Sequence, residues 1–152
     1  MTKLALEEFL PYRLNRLAAA VSQAFRAVYG PHHDLTVPEW RVLATLGQFE
    51  TMSAKAIGAH SAMHKTKVSR AVRALEERRW LARRESPDDR REEILRLTPL
   101  GRKSYAEIVP RALAFEARIL EALGPDAGDA GRLLGALERG IGIGAGRGAG
   151  EP

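Results

Sequence analysis

The sequence predicts a mainly α-helical fold of about six helices with one β-hairpin. Through most of the 152 residues, apolar side chains recur at spacings of three and four, as on one face of an amphipathic helix. Two short segments, 80–84 and 92–97, flank the turn-forming residues Ser86-Pro87-Asp88-Asp89, so they predict a hairpin. The length fits one domain, or one domain with a dimerisation region.

The composition indicates a globular protein and excludes several classes of function. Hydrophobic residues make up 45% and charged residues 28%, both ordinary values. The absence of cysteine excludes disulfide scaffolds, zinc–cysteine fingers and thiol catalysis. No apolar stretch approaches the ~20 residues of a membrane span. Glu7 and Glu8 stand where a signal peptide would be basic and then apolar. We therefore expect a soluble, cytoplasmic protein with no membrane partner.

The positive charge is concentrated in one segment. Residues 61–103 contain 13 Lys or Arg and 7 Asp or Glu, a balance of +6, whereas the whole chain carries +5. A basic segment in an otherwise neutral chain is typical of a protein that binds a polyanion such as double-stranded DNA. The alternative is a solvated helix face on which acidic residues partly offset the bases.

Two helices are predicted at the start of the chain. The first extends from about Leu6 to Tyr29, and we expect Gly30-Pro31 to end it. Thr36 and Glu39 then have the spacing of a capping box, with a hydroxyl at the cap and a carboxylate three residues later. The second helix is apolar on nearly every side, so it should be largely buried.

Two short helices follow in the pattern of a helix-turn-helix. Ser53 can cap the third helix, which ends near His60, and the fourth extends from about Met63 to Arg79. A helical wheel separates the fourth helix into an apolar and a polar side. The polar side carries groups of the kind that bind in a DNA major groove: Lys65, Thr66, Lys67, Ser69, Arg70 and Arg73. The alternative is an amphipathic helix whose polar side contacts only water.

The predicted hairpin carries charged residues at its tip. An Arg held on a narrow protrusion, as Arg90 and Arg91 are here, suits a DNA minor groove, where the negative potential is strongest. Asp89 can hold a neighbouring guanidinium in place through a charge-assisted hydrogen bond. The alternative is a surface turn with local ion pairs, which contribute little.

Two more helices and a tail complete the chain. Thr98-Pro99 predicts the start of a fifth helix that could reach Leu123, with a kink at Pro110. A last helix is expected from Asp126 to about Ile141. From Gly140 to Gly150 every second residue is glycine, so we expect the tail at residues 143–152 to be a disordered end.

This order of elements resembles the MarR family of bacterial winged helix-turn-helix transcription regulators. The resemblance covers roughly residues 7–140. Its sharpest part is the wing, where Asp89 and Arg91 precede Leu97-Thr98 at the start of a long helix. Residues 65–70, Lys-Thr-Lys-Val-Ser-Arg, match the start of the family's recognition helix. His64 departs from the pattern, which often has an acidic residue there.

The resemblance implies how the chain is organised and what it does. It implies a homodimer formed through residues 1–30 and 99–142, with a winged helix-turn-helix lobe at residues 36–98. It further implies a palindromic operator and repression that a small ligand relieves. The length and apolar character of the terminal helices independently favour a dimer. A different class remains open, a helical dimer that binds a protein partner without specific DNA binding.

By resemblance, an effector would be a small aromatic or phenolic anion, bound beside the second helix. Trp40 offers an apolar wall and Arg41 a cation, while Tyr12 and Arg16 of the first helix are further candidates. The alternative places Trp40 in the core and pairs Arg41 with an acid such as Glu39. We predict no cofactor and no metal site, although whether one is built from the histidines stays open: His32, His33, His60 and His64. No motif of a catalytic site is found, so an enzyme is not expected.

Overall fold

The computed structural model describes residues 3–88 and 92–143. In chain order its elements are α1 (Leu10–His33), α2 (Val37–Phe49), β1 (Thr51–Ser53), α3 (Ala54–Ser61), α4 (Lys65–Glu77), β2 (Leu81–Glu85), β3 (Glu93–Leu97), α5 (Pro99–Leu123), a short 3-10 turn (Gly124–Asp126) and α6 (Ala127–Ile141). The predicted fold class, six helices with a hairpin, is confirmed for this part of the chain.

The chain divides into two compact units, Met1–Ala112 and Leu113–Pro152, and the division falls inside α5. The first unit holds a continuous apolar core. Its fully buried side chains come from every helix of the unit and from the sheet: Tyr29, Leu35, Val42, Leu43, Leu46, Ile57, Val72, Leu75, Leu95 and Ile108. The expectation that α2 is largely buried is confirmed, since α2 contributes three of these residues.

Three strands form one antiparallel sheet in the order β1–β3–β2. The predicted hairpin is confirmed as β2 and β3, which pair from Leu81 opposite Leu97 to Glu85 opposite Glu93. Strand β1 was not predicted, because three residues are too short to show an alternating pattern. It forms because Met52 pairs opposite Leu95 and half-buries its side chain against the core.

The ends of α1 differ from the prediction. The helix begins at Leu10, and Pro11 lies in its first turn, where a missing N–H leaves no bond unmade. The expected end at Gly30-Pro31 is wrong, because the helix continues through Pro31 to His33. Asp34 then takes a left-handed conformation (φ 49°) and donates its N–H to the Gly30 carbonyl at 2.7 Å, which closes the last turn.

The other helix starts follow the predicted caps. Thr36 and Glu39 form the capping box of α2, and the Ser53 hydroxyl accepts from the Ala56 N–H at the start of α3. The Thr98 hydroxyl accepts from the Gly101 N–H at the start of α5. Helix α4 is shorter than predicted at both ends. Helix α5 is continuous through Pro110, and the kink there stays a prediction.

The second unit contains the end of α5, the 3-10 turn and α6. None of the residues of α6 is buried, although this helix is strongly amphipathic. Most of its large apolar side chains and of those in the preceding segment are exposed: Leu113, Ile119, Leu120, Leu123, Leu133, Leu134 and Ile141. Of the tail at 143–152, predicted to be disordered, residues 144–152 lie outside the described residues.

Candidate nucleic-acid interface

Helices α3 and α4 form the helix-turn-helix that the sequence predicts. Ala62 ends α3 in a left-handed conformation (φ 51°) and donates its N–H to the Gly58 carbonyl. The Met63 N–H also donates to this carbonyl, at 3.0 Å. A Cβ at Gly58 would lie 3.1 Å from the Met63 carbonyl oxygen and 3.4 Å from Val68, so the turn packs tightly at this glycine. This turn sets the direction in which α4 leaves α3.

Helix α4 presents its two sides as the wheel predicts. Val68, Ala71, Val72 and Leu75 are buried against the preceding helices. The polar candidates are all exposed: Lys65, Thr66, Lys67, Ser69, Arg70 and Arg73. No acidic residue lies in the first turn. This side therefore combines side-chain donors with the positive end of a helix dipole.

His64 takes the cap position of α4. Its Nδ1 accepts a hydrogen bond from the Thr66 N–H at 3.3 Å, and the side chain is exposed. An accepting Nδ1 carries no proton, so the capping imidazole leaves Nε2 as the atom available for a further partner. The structure thus gives a role to the residue that departs from the family pattern.

Arg73 is held by an acid on its own helix. Its Nε donates to Glu77 Oε1 at 3.0 Å, and both side chains are largely exposed. An exposed pair at positions i and i+4 contributes only a few tenths of a kcal/mol. Arg73 can therefore leave Glu77 for a stronger acceptor at little cost.

Arg83 of β2 joins the hairpin to α4, a contact that sequence analysis missed. Its Nε and Nη2 donate to the two carboxylate oxygens of Glu76 at 2.6 and 2.9 Å, and its Nη1 donates to Glu93 at 2.7 Å. These hydrogen bonds raise the pKa of Arg83 above its already high ordinary value. The pairing across seven and ten residues has no local sequence signal. It makes the recognition helix and both strands of the wing one connected surface.

The tip of the wing is described only in part. Ser86 donates its N–H to the Glu92 carbonyl at 2.9 Å, which extends the ladder one step beyond the strands. Asp89, Arg90 and Arg91, the predicted contacts to a minor groove, lie outside the described residues. Their role stays a prediction.

A cleft of about 780 Å³ lies in the first unit between α1, α2 and the turn before α4. Arg41 lines it and donates from Nη2 to the Ser22 hydroxyl at 3.2 Å. His64 and Lys67 also line it. The alternative pairing of Arg41 with Glu39 is not found in the described structure, where the Glu39 carboxylate accepts from the Thr36 N–H and lies 3.9 Å from Arg78. Arg41 thus has hydrogen-bonding capacity left for an anion.

The other three effector candidates do not line this cleft. Trp40 is half-buried in an aromatic cluster, with its ring 5.3 Å from Phe25, 5.5 Å from Tyr29 and 6.4 Å from Tyr105 between centroids. Tyr12 and Arg16 lie on α1, where the Arg16 guanidinium is 5.8 Å from the Tyr12 ring. The structure therefore brings Arg41 to a cavity and places Trp40 in a packed cluster.

Neither a metal-binding cluster nor a membrane-spanning helix is found in the part of the chain that the structure describes. Among residues 3–88 and 92–143, no group of three or more His, Asp or Glu is placed to hold a metal ion. Within the same residues, no helix is both long and apolar enough to span a bilayer.

The turn-coupled helix pair, the exposed cationic side of α4 and the attached hairpin define a winged helix-turn-helix, a DNA-binding fold. A family model described as "MarR family" matches residues 33–92. A curated relative from Bacillus subtilis (strain 168), the uncharacterized HTH-type transcriptional regulator YwoH, is 30% identical over 111 residues, 73% of this chain and 80% of the relative. The chain belongs to the MarR family of transcription regulators.

Solved structures agree with this family. The MarR family transcriptional regulator SPO1453 from Silicibacter pomeroyi DSS-3 is 30% identical, with a TM-score of 0.74 over 90% of this chain and 98% of its own. BpsR of Bordetella bronchiseptica shares the fold at 24% identity, with a TM-score of 0.76 over 95% of this chain and 100% of its own. The structure of BpsR concerns regulation of its DNA binding by 6-hydroxynicotinic acid.

Proposed function

We propose that this MarR-family regulator binds a palindromic DNA operator as a homodimer and represses transcription. Helix α4 enters the major groove and the β2–β3 wing contacts the minor groove. The observation that carries the proposal is the exposed side of α4, where six hydroxyl or cationic side chains stand together and no acid lies in the first turn. Because the target is DNA, the proposal places the protein in the cytoplasm.

Support for a homodimer comes from apolar surface on the terminal helices. Leu10, Leu17 and Val21 are exposed on α1, and Leu133 and Leu134 are 55% and 54% exposed on α6. Apolar residues grouped on an amphipathic helix face are typical of a subunit interface. A two-fold axis would place two copies of α4 about one DNA turn apart, roughly 34 Å, which matches a palindrome.

The cleft beside Arg41 is the proposed effector site. The effector class is a small aromatic or phenolic anion, whose carboxylate Arg41 would bind through two parallel hydrogen bonds. Lys67 faces the same cleft from the start of α4. An anion there would therefore interact both with α2 and with the recognition helix. Such a ligand stabilises the conformation of the protein to which it binds most tightly. Repression ends when that conformation binds the operator poorly.

Selection from random duplexes, followed by fluorescence anisotropy, tests the DNA-binding claim. We expect one enriched palindrome, bound in the presence of excess unrelated DNA, with affinity falling steeply as salt rises, because phosphate contacts release counterions. Binding that unrelated DNA removes would contradict a specific operator. No binding at any salt would favour the other class of function, a helical dimer for a protein partner.

The effector claim has its own test with a panel of hydroxylated benzoates and nicotinates, 6-hydroxynicotinate included. At least one should release the selected duplex from the wild-type protein. Arg41→Gln should bind the duplex normally and require about tenfold more of that compound, because a charge-assisted pair is lost. Equal sensitivity of the two proteins would place the effector elsewhere, and release by none of the panel would show that the effector class is wrong.

A further inference from the structure

One guanidinium holds three helix ends together in the first unit. Arg78 follows the last residue of α4 and donates from Nη1 to the His33 carbonyl at 2.8 Å and from Nη2 to the Asp34 carbonyl at 2.6 Å. These are the carbonyl groups at the end of α1. Because the last carbonyls of a helix have no partner within it, a cation there satisfies them and the negative end of the helix dipole.

Carboxylates and an aromatic ring surround the same guanidinium. The Asp34 carboxylate and the Glu39 carboxylate of α2 each lie 3.9 Å from Nη2. The indole of Trp80 lies against the guanidinium, 5.3 Å from its carbon to the ring centroid. The Arg78 side chain is only 30% exposed. Its planar group is therefore fixed in direction from several sides.

These contacts join two helices whose main packing partners are other elements. In the described chain, α4 packs mainly on α2 and α3, and α1 packs on α2. Arg78 provides the hydrogen bonds between the end of α4 and the end of α1, and the His33 ring adds an edge contact to Trp80, 6.2 Å between centroids. The position of Arg78 also explains why α1 continues past Pro31, since the guanidinium stabilises the final turn from 45 residues away.

We propose that Arg78 is a positioning residue that fixes the direction of the recognition helix relative to α1 and so sets which spacing of operator half-sites the protein accepts. The inference rests on the proposed DNA-binding dimer. In that dimer α1 belongs to the interface, so any change in the angle between α1 and α4 changes the separation of the two recognition helices. Arg78 itself stays at the far end of α4 from the residues that enter the groove.

The test compares operator spacings. Wild-type protein, Arg78→Gln and Arg78→Lys are titrated against the duplex that wild-type selects, and against duplexes with one base pair inserted or removed between the half-sites. A single half-site completes the set. Arg79→Gln is the matched control, because it removes the same charge one residue later from an exposed side chain.

For Arg78→Gln we expect about tenfold weaker binding at the native spacing, the equivalent of about one charged hydrogen bond, and much less change at the altered spacings. The preference for native spacing should thus shrink by about the same factor. Arg78→Lys can donate to one carbonyl at a time, so its preference for the native spacing should lie between those of wild type and Arg78→Gln. Arg79→Gln should keep the wild-type preference.

An unchanged spacing preference in Arg78→Gln would overturn the proposal. An equal loss on every duplex, the half-site included, would also overturn it, since that pattern belongs to a lost phosphate contact. Circular dichroism establishes that the variants are folded. If Arg78→Gln does not fold, Arg78→Lys carries the same comparison.

Hydrogen exchange provides a readout without DNA. Amides of residues 32–36 should exchange about tenfold faster in Arg78→Gln than in Arg79→Gln, because the end of α1 loses its partner. Equal exchange would contradict the link between α1 and α4. If wild-type protein selects no duplex, the proposed function fails, and the exchange comparison alone still decides whether Arg78 joins the two helices.

Discussion

Two parts of the chain differ in how far their apolar side chains are buried, the region of α2, α4 and the sheet in the first unit and α6 in the second. In Met1–Ala112 the large apolar side chains of α2, α4 and the sheet are enclosed by their own chain. In Leu113–Pro152, Leu133 and Leu134 of α6 are more than half exposed. A unit that encloses its core is stable by itself, whereas an amphipathic helix with an uncovered face needs another surface. The difference separates α2, α4 and the sheet, whose apolar residues are enclosed, from α6, whose apolar face is uncovered as that of α1 is.

Leucine truncations in the two units should produce the largest contrast. Leu46 is fully buried in α2. Leu46→Ala should lower the free energy of unfolding by about 2–5 kcal/mol, because it removes packing and leaves a cavity. Urea unfolding followed by circular dichroism, at several protein concentrations, measures the loss.

Leu134→Ala is the matched change in α6. We expect a smaller loss that appears mainly as weaker self-association, seen as a shift toward monomer in analytical ultracentrifugation. If Leu134→Ala cost as much as Leu46→Ala at every concentration, the second unit would have a closed core of its own and the contrast would be wrong.

Glycine substitutions sharpen the same contrast. A Cβ at Gly101 would overlap the Trp80 carbonyl oxygen, so Gly101→Ala should destabilise the first unit by about 2–3 kcal/mol. A Cβ at Gly131 of α6 meets no described atom within 4 Å. Gly131→Ala should therefore stabilise the protein by about 0.5–1 kcal/mol through helix propensity alone. Thermal unfolding measures both. A destabilising Gly131→Ala would indicate that another surface already covers this part of α6.

Tyr29→Phe tests whether the buried Tyr29 hydroxyl has a hydrogen-bond partner. The Tyr29 hydroxyl is buried and has no hydrogen-bond partner among the described residues. Burial raises its pKa to about 12, so the group is a neutral, unsatisfied donor at ordinary pH. Removing it should leave stability unchanged or raise it by about 1 kcal/mol. A clear loss in urea unfolding would instead show that the hydroxyl has a partner, such as a bound water.

A smaller effect is expected from His33 at the end of α1. Burial lowers the pKa of His33 below its ordinary value of 6.5, although Glu107 at 4.0 Å opposes the shift. The folded state therefore disfavours the imidazolium form. Stability should rise with pH up to about 6.5 and gain nothing more from His33 above it.

Thermal unfolding between pH 5 and 8 checks this sign. The rise should be shallower in His33→Asn than in wild type, because the imidazole whose protonation the folded state disfavours is absent. A steeper rise in His33→Asn would show that burial is not what governs this histidine.

Local sequence patterns predict much of the secondary structure of the first unit but few of the contacts between its elements. The caps at Thr36, Ser53 and Thr98 depend on residues three positions apart, so they could be predicted from sequence. The two sides of α4 follow from helical periodicity alone. The sequence predicts too early an end for α1, because Arg78, which stabilises the last turn, lies 45 residues away from it.

The candidate site, too, could be predicted from the sequence only in part. Sequence identified the exposed side chains of α4, since an apolar stripe on one side defines the polar side opposite. It could not show that Arg83 is engaged by Glu76 and Glu93, nor that Arg41 reaches a cleft while Trp40 packs in an aromatic cluster. Those outcomes depend on contacts between separate elements, which spacing along the chain does not encode.

Base-by-base titration of Arg73→Ala against the selected duplex tests the central claim most directly. Arg132→Ala is its control, because Arg132 is likewise an exposed cation paired with an acid on its own helix, Asp129 at 2.9 Å. Arg73→Ala should lose about 1–3 kcal/mol of binding free energy and tolerate any base pair at one position of each half-site. Arg132→Ala should keep both affinity and specificity. If Arg73→Ala read every position as wild type does, α4 would not be the element that reads the DNA sequence.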